Sequence, residues 1–263
     1  MNLTEITPLI LTRNEAPNIA RTLTALTWAE RIIVLDSGST DDTKTIVEQH
    51  PNVVFLVRPF DRHADQWNFG LDQITTPWVL TLDADYQCPP EFADELCNLT
   101  PRVDAYAASF RYCINGHPLR GTLYPRRVVL FRTAEFRYQQ DGHTQLLKTH
   151  GPVGELRMPI LHDDRKPLDD WLASQCKYAD LEAVRLLAGG ELNFNDRLRS
   201  YVVIAPFLVF FYCLVVKGLI FDGWPGVLYT LQRTYAELLL SLKLLDARIS
   251  RRSPAPAASP SES

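Results

Sequence analysis

The first hundred residues alternate short apolar runs with amphipathic segments, and this alternation predicts strands and helices in turn. Strands are predicted over residues 6–11, 31–35, 53–57 and 78–83, with helices over 17–26, 40–49 and 65–73. Pro17 falls in a first helical turn, where proline is favourable, and Ile19 and Leu23 share one face of that helix. Strands that alternate with helices at this spacing form a parallel sheet with right-handed crossovers.

The pattern changes near residue 105, where shorter strands separated by Gly- and Pro-containing turns replace the alternation. These strands are predicted over residues 105–113, 127–132, 143–150 and 156–162. Residues 167–187 then read as one long amphipathic helix, with Leu168, Trp171 and Tyr178 near one face.

The C-terminal region is strongly apolar. Residues 202–221 contain a single charge, Lys217, and one proline, Pro206, and the run is long enough to cross a bilayer. A Gly- and Pro-containing turn follows, and the next apolar segment, residues 227–245, carries charges and is amphipathic. We expect a helical pair lying in a membrane interface; a single span, a buried hairpin and a dimer contact stay open as alternatives.

Basic residues flank this pair and suit anionic headgroups. They are Arg197 and Arg199 before it and Arg248, Arg251 and Arg252 after it. Residues 251–263 are rich in Pro, Ala and Ser, and this composition predicts a disordered tail.

Composition narrows the class of protein. A length of 263 residues suits one large domain or one domain plus an appendage, and the 46% of hydrophobic residues can supply a sizeable core. The net charge of −4 argues against a general nucleic-acid binder. The five cysteines are scattered without a C-x-x-C pair, and neither a zinc site nor a disulfide framework is expected. The first residues lack the pattern of a signal peptide, so a cytosolic location of the working part is expected.

The candidate chemistry begins with two carboxylates, Asp83 and Asp85, at the end of an apolar run. Alternate residues of an extended chain point the same way, so both carboxylates can face one point, where they repel unless a cation lies between them. Oxygen ligands of this kind suit Mg²⁺ or Mn²⁺ bound to the phosphates of a nucleotide. Residues 12–15 and 36–39 follow two other predicted strands, and ligands of such sheets bind at this edge.

Three ordered segments resemble a known enzyme family. Residues 11–15 (LTRNE), 36–41 (DSGSTD) and 82–85 (LDAD) resemble the motifs of family 2 glycosyltransferases, which have the GT-A fold. Residues 141–145 and 162–168 are similar to the bacterial branch that builds lipopolysaccharide core and related surface glycans. The resemblance implies an α/β GT-A fold with a mostly parallel central sheet and flanking helices, followed by C-terminal membrane-associated helices.

The implied domain organisation follows the same resemblance. A catalytic domain is expected over residues 1–190, with a nucleotide-sugar-binding half at 1–100 and an acceptor half at 101–190. Apolar and amphipathic helices follow at 191–250, before the tail at 251–263. The expected location is the cytoplasmic face of the inner membrane.

The resemblance also implies roles on the nucleotide side of the site. Thr12, Arg13 and Glu15 would line the pocket, Asp36 would accept the N3–H of a uracil base, and Asp83 would lie near the ribose. Glu15 is equally well explained as a charge in the first turn of a helix.

On the metal side, Asp85 is the implied ligand of a divalent ion, Mg²⁺ or Mn²⁺, that neutralises the diphosphate. His162 is the implied further ligand, although a lone histidine is more commonly structural. Asp141 is the implied base that takes the proton of the acceptor hydroxyl, with His143 as a competitor. An Asp-Gly turn explains Asp141 without any chemistry.

The function implied is an inverting glycosyltransferase that moves a sugar from a nucleotide-diphospho donor, with a UDP-sugar expected, to a membrane-linked glycan or lipid. A polyprenyl-phosphate sugar transferase shares the first three motifs and stays open, as does a non-catalytic nucleotide-sugar-binding protein. Neither donor sugar nor acceptor follows from the sequence, because a few pocket contacts decide donor selection.

Overall fold

The structure is a computed structural model that describes residues 1–141, 144–188 and 194–252. The chain divides into two compact units, of which the N-terminal unit spans Met1–Lys166 and the C-terminal unit begins at Pro167. The predicted boundary near residue 190 stays a prediction; the long helix that begins at Leu168 groups here with the C-terminal helices.

The N-terminal unit contains thirteen described strands and four helices. The strands are β1 (Ile6–Thr12), β2 (Ile32–Asp36), β3 (Val53–Val57), β4 (Trp78–Asp83), β5 (Tyr86–Gln87), β6 (Ala105–Ala108), β7 (Phe110–Ile114), β8 (His117–Pro118), β9 (Arg127–Arg132), β10 (Tyr138–Asp141), β11 (Thr144–Leu147), β12 (Val153–Glu155) and β13 (Ile160–His162). The helices are α1 (Ile19–Thr24), α2 (Thr43–Val47), α3 (His63–Leu71) and α4 (Pro90–Asn98).

A seven-stranded sheet with the order β12-β6-β9-β4-β1-β2-β3 forms the centre of this unit. The neighbours from β4 to β3 are parallel, as the alternation of strands and helices predicts. Strand β9 is antiparallel to both β4 and β6, while β12 is parallel to β6. The sheet is therefore mostly parallel, with one reversed strand that brings the start of β9 to the carboxyl end of β4.

Both faces of the sheet are packed, which explains why its strands are almost continuously apolar. Ile10, Val34 and Leu80 belong to one buried cluster with α1 and α4 residues such as Leu23 and Phe92. On the opposite face a second cluster joins the sheet to α3 and to β10; its buried members include Leu9, Ile33, Trp67, Val79 and Tyr138.

A four-stranded sheet with the order β5-β13-β7-β8 lies beside the ends of these strands. The predicted strand over residues 105–113 is two strands in different sheets, because the chain leaves the large sheet after Ala108 and enters the small one at Phe110. β7 and β8 form a hairpin whose turn residues, Asn115 and Gly116, have positive φ angles of 49° and 83°. A side chain at Gly116 would also collide with the guanidinium of Arg165.

The C-terminal unit is helical in its described part. Its helices are α5 (Leu168–Ala188), α6 (Phe194–Ser200), α7 (Ile204–Phe211) and α8 (Gly223–Arg252), with a π-helical turn over Tyr212–Val216 and a 3₁₀ turn over Leu219–Asp222 between the last two. Helix α8 begins before the predicted residue 227, since Pro225 fits its first turn. The predicted apolar run of residues 202–221 is interrupted at Gly218, which has a φ of 70°.

Within the residues that the structure describes, no single helix has the length and apolar character of a membrane span. Ile204–Val216 and Leu219–Ser250 meet the criterion only as a pair, bent by 67°. The membrane association expected for these helices stays a prediction.

Candidate functional site

The three predicted polar clusters meet at one edge of the large sheet. In the parallel register Thr12 lies opposite Asp36, and Leu11 lies opposite Asp83. The carboxyl ends of β1, β2 and β4 are therefore side by side, and the segments that follow them share one rim. This is the edge where ligands of parallel α/β sheets bind.

Asp36 is buried and its carboxylate is fully engaged by its own loop. Oδ1 accepts the backbone N–H groups of Gly38 and Ser39 at 2.8 and 2.7 Å. Oδ2 accepts the hydroxyls of Thr12 at 3.0 Å and Ser39 at 2.5 Å. These four bonds fill the acceptor positions of the carboxylate.

The loops that follow β1 and β2 are held together. The N–H of Asn14 donates to the Ser39 hydroxyl, and the N–H of Thr40 donates to the Asn14 side chain, both at 2.8 Å. Arg13 is exposed on this same rim. Thr12, Arg13 and Asp36, the predicted nucleotide residues, are therefore brought together by main-chain and side-chain bonds across the two loops.

Asp83 and Asp85 lie at the end of β4, anchored where the Thr22 hydroxyl donates to the carbonyl of Ala84 at 2.6 Å. Burial raises the pKa of Asp83, and the nearby Asp85 charge raises it further. Burial also disfavours the charged form of Asp85, but the His162 charge and hydrogen bond outweigh burial and lower its pKa. The two carboxylates thus differ in proton affinity, and Asp85 is the one held ionised.

His162 is placed beside Asp85 by strand pairing. β13 is antiparallel to β5, with His162 opposite Tyr86, and the N–H of Asp163 donates to the carbonyl of Asp85 at 3.1 Å. His162 Nε2 lies 3.0 Å from Asp85 Oδ2. Although burial opposes it, the Asp85 charge raises the pKa of His162.

Aromatic rings enclose the imidazole of His162. The ring centroids of Tyr86, Tyr112 and Tyr124 lie 5.1, 4.7 and 4.7 Å from it. His162 Nδ1 is buried and has no hydrogen-bond partner among the described residues. The enclosure fixes the ring so that Nε2 faces Asp85.

The pair formed by Asp85 and His162 fits a divalent ion that takes its remaining ligands from a substrate. In the described part of the chain, no group of three or more His, Cys, Asp and Glu side chains is arranged to hold a metal. Mg²⁺ in phosphate-transfer sites uses one or two protein carboxylates and completes its shell with phosphates and water. The Asp85 carboxylate meets that requirement, and the His162 imidazole could add a ligand through Nε2 when that nitrogen releases its proton.

Glu15 is not simply a helix charge, as one sequence interpretation had it. The Lys166 ammonium forms an ion pair with Glu15 Oε1, and the Asn18 amide donates to Oε2 at 2.8 Å. Burial raises the pKa of Glu15 to about 7, with the Asp85 charge adding to it and Lys166 opposing it. Glu15 thus joins the first motif to the segment that follows His162.

Sequence reasoning missed two residues that hold this segment. Asn18 is buried and its amide also donates to Asp164 Oδ1 at 2.9 Å, while its Oδ1 accepts the N–H of Arg165 at 2.9 Å. Asp163 is buried and accepts Arg21 at 2.7 Å, Arg165 Nε at 2.9 Å and the N–H of Gly116 at 3.0 Å. Their distant contacts, Asn18 with Asp164 and Asp163 with Arg21, join segments more than a hundred residues apart and have no local signal.

The predicted base, Asp141, ends β10 and pairs with Thr144 of β11. Its side chain and the competing His143 lie outside the described residues. The role of Asp141 therefore stays a prediction.

Comparison with known proteins gives the family. Residues 9–158 match the family model described as glycosyl transferase family 2, which covers more than half of the chain. A lipopolysaccharide core biosynthesis glycosyltransferase, LpsC of Rhizobium meliloti, is 25% identical over 252 residues, or 91% of each chain. An uncharacterized glycosyltransferase of Rickettsia felis is 37% identical over 93 residues, which are 35% of this chain and 32% of the relative.

Among solved structures, the mannosyltransferase PcManGT of Pyrobaculum calidifontis, in complex with GDP-Man and Mn²⁺, has a TM-score of 0.50 at 15% identity. The alignment covers 95% of this chain and 88% of that one. This similarity concerns the fold, and with the family match it confirms the predicted GT-A architecture. The chain is a glycosyltransferase and belongs to glycosyl transferase family 2.

Proposed function

We propose that this glycosyltransferase moves a sugar, with inversion, from a UDP-sugar to a membrane-linked glycan or lipid such as lipopolysaccharide core. The relative from Rhizobium meliloti, whose name places it in lipopolysaccharide core biosynthesis, aligns with nearly the whole chain and supports this acceptor class. The nucleotide-sugar and Mn²⁺ complex of the structural neighbour supports a donor of the same chemical class and a divalent ion.

The observation that carries the proposal is the convergence of Asp85 and His162. The two residues are 77 positions apart and come within 3.0 Å at the sheet edge that also holds Asp36 and Thr12. A carboxylate held ionised and an oriented imidazole at such an edge are a suitable pair of ligands for Mg²⁺ or Mn²⁺ beside a diphosphate.

The residues of the chain divide the work as follows. The loops that carry Thr12, Arg13 and Asp36 bind the nucleoside, with Asp83 toward the ribose. Asp85 and His162 would hold the divalent ion, which supplies charge neutralisation for the departing nucleoside diphosphate. Asp141 takes the proton of the acceptor hydroxyl as it attacks the anomeric carbon.

The C-terminal unit is proposed to hold the enzyme at the lipid surface that carries the acceptor. Large apolar side chains are exposed along α7, the turns that follow it and the start of α8: Ile204, Phe207, Leu208, Phe211, Val215, Val216, Ile220, Phe221 and Trp224. We refer to these nine residues as the apolar stripe. A contiguous apolar surface of this kind marks an interface with a membrane or another protein.

The large exposed apolar side chains favour apolar insertion as the main contact; of the basic residues expected at headgroups, Arg199 is engaged within the protein, whereas Arg197 and Arg248 are exposed. Arg199 was expected to meet anionic headgroups, but its guanidinium lies 2.7 Å from Glu237 and 3.3 Å from Glu182. The side chains of Arg251 and Arg252 lie outside the described residues. We therefore assign the membrane contact chiefly to the apolar stripe, at the cytoplasmic face of the inner membrane.

A binding panel tests the donor assignment. Titration of the full-length protein with UDP-, GDP- and dTDP-sugars, with Mn²⁺ or with EDTA, should show metal-enhanced binding of the UDP-sugars. His162→Ala should remove the enhancement, whereas His50→Ala, at the end of a distant loop, should keep it. If no nucleotide sugar binds under either condition, the proposed donor site is wrong.

The proposed base, Asp141, distinguishes transfer to a glycan hydroxyl from transfer to a polyprenyl phosphate. A lipid phosphate acceptor needs no hydroxyl deprotonation, so Asp141→Asn would leave such a transfer active. We expect Asp141→Asn to reduce glycan transfer by about 10²-fold or more while UDP binding is unchanged.

A further inference from the structure

Two adjacent arginines at the start of β9 have different surroundings. Arg126 forms an exposed ion pair with Glu155. The guanidinium carbon of Arg127 lies 4.9 Å from the ring centroid of Tyr124, and the described side chains include no carboxylate in an ion pair with it. Arg126 thus contacts a carboxylate, whereas the neighbouring Arg127 contacts an aromatic ring.

The position of Arg127 follows from the reversed strand. Because β9 is antiparallel to β4, its first residue lies at the carboxyl end of β4, where Asp83 is. The charge of Arg127 acts on Asp83. Tyr124, over which Arg127 stacks, is one of the rings around His162, and its hydroxyl lies 2.5 Å from that of Tyr86. Arg127 is therefore part of the same rim as the two carboxylates.

Stacking on a ring leaves the edge of a guanidinium available. The guanidinium carbon of Arg127 lies over the Tyr124 ring, and such a cation–π contact leaves N–H groups that can still donate to a ligand. A planar fork of donors matches two oxygens of a phosphate, which a lysine cannot reproduce. Arg126 uses its Nη1 in the exposed ion pair with Glu155 and serves as the matched control.

We propose that Arg127 is a phosphate-binding residue of the donor-site rim, which takes a phosphate group of a substrate with its guanidinium edge. The source is either the diphosphate of the nucleotide sugar or a phosphate of the acceptor. The inference deepens the proposed function and rests on it, since both sources belong to that reaction.

Calorimetric titration in EDTA tests the donor source, because phosphate contacts are then measured without a metal. For Arg127→Gln we expect the Kd of UDP to rise about 10- to 100-fold, the size of one charge-assisted contact, with the Kd of uridine unchanged. Arg127→Lys should lie between the two, and Arg126→Gln should match the wild type. Retained uridine binding also reports that Arg127→Gln is folded.

A second titration tests the acceptor source. Inorganic phosphate is added to protein saturated with UDP, and binding that is lost in Arg127→Gln but kept in Arg126→Gln assigns Arg127 to an acceptor phosphate. The inference is overturned if neither UDP nor phosphate affinity changes, or if uridine affinity falls as much as UDP affinity. Wild-type protein that binds neither uridine nor UDP would overturn the proposed function and this inference together, whereas normal wild-type binding with an unaffected variant overturns the inference alone.

Discussion

The two units differ in their most pronounced exceptions to ordinary burial. The N-terminal unit buries Asn18, Asp36 and Asp163, each with several hydrogen-bond partners. The C-terminal unit exposes Phe221 and Trp224, which are 72% and 84% accessible to solvent. Buried polar groups and exposed large apolar groups are the informative exceptions to ordinary burial. In the first unit the exceptions hold the candidate site together, and in the second they form an exposed apolar surface.

Among the buried polar residues, we expect substitution of Asp163 to cause the largest loss of stability. Asp163→Ala removes the carboxylate that Arg21 and the N–H of Gly116 share, and loss of one member of a buried charge pair costs about 3–5 kcal/mol. We expect the free energy of unfolding, measured by urea denaturation, to fall by that amount.

The matched control is Asp104→Ala, which breaks the exposed ion pair with Arg132 at 3.6 Å. Exposed pairs contribute about 0–1 kcal/mol, so this variant should remain close to the wild type. Equal losses in the two variants would contradict the structural role assigned to Asp163.

At the candidate site we expect a substitution that removes a charge but keeps the side-chain shape to lower activity and leave the fold unchanged. Asp85→Asn keeps the shape but removes the charge that faces His162, and transfer should fall by about 10²- to 10³-fold, the usual cost of losing one electrostatic contact to the transition state. Initial rates of sugar transfer measure the loss. Asp94→Asn, an exposed carboxylate on α4, is the control, and full activity of Asp85→Asn would remove Asp85 from the reaction.

The exposed side of the contrast is tested with lipid vesicles. Phe207 and Phe211 are 64% and 59% accessible, and burial of one large apolar side chain contributes about 1.5–3 kcal/mol. We expect the double change Phe207→Ser and Phe211→Ser to weaken vesicle binding at least about tenfold in co-sedimentation.

Phe60→Ser, on the N-terminal unit, is the control for this experiment. Vesicles of phosphatidylcholine alone should retain most of the binding seen when phosphatidylglycerol is added, since Arg199 is occupied by Glu237. If the wild-type protein does not bind vesicles but self-associates through these residues, the apolar stripe is a contact between copies of the chain.

The sequence predicts the part of the fold that depends on local pattern. The strands ending at Thr12, Asp36 and Asp83 are apolar runs followed by polar segments, and the rule for parallel sheets then places their ends together. The helix Pro90–Asn98 was missed, although Pro90 at its first turn is a helix-start signal. Local rules are sufficient where neighbours in sequence are also neighbours in the sheet.

The connections that complete the site are not available from local rules. Asn18 contacts Asp164 and Glu15 contacts Lys166 across about 150 positions, and nothing in the intervening residues indicates the pairing. The antiparallel placement of β9, which brings Arg127 to Asp83, likewise depends on the order of strands in the finished sheet. Such contacts are fixed by topology and become visible only when the chain is folded.

The last prediction concerns Glu15 and is a change of stability with pH. Burial raises the folded pKa of Glu15 from 4.5 to about 7, so the fold disfavours the ionised form that the unfolded chain prefers between those values. The stability that protonated Glu15 retains is therefore fully present below about pH 4.5 and declines as the pH rises toward 7.

Glu15→Gln has no proton to lose and should not show this decline. In EDTA, the difference in unfolding free energy between wild type and Glu15→Gln should shift against the wild type by at most about 1.4 kcal/mol per pH unit between those two values. The exposed Glu48→Gln, whose carboxylate lies 3.6 Å from Lys44, is the control and should follow the wild type. If the difference in unfolding free energy does not change with pH, the charge of Lys166 fully offsets the effect of burial on the pKa of Glu15. The contact between Glu15 and Lys166 would then be an ordinary ion pair.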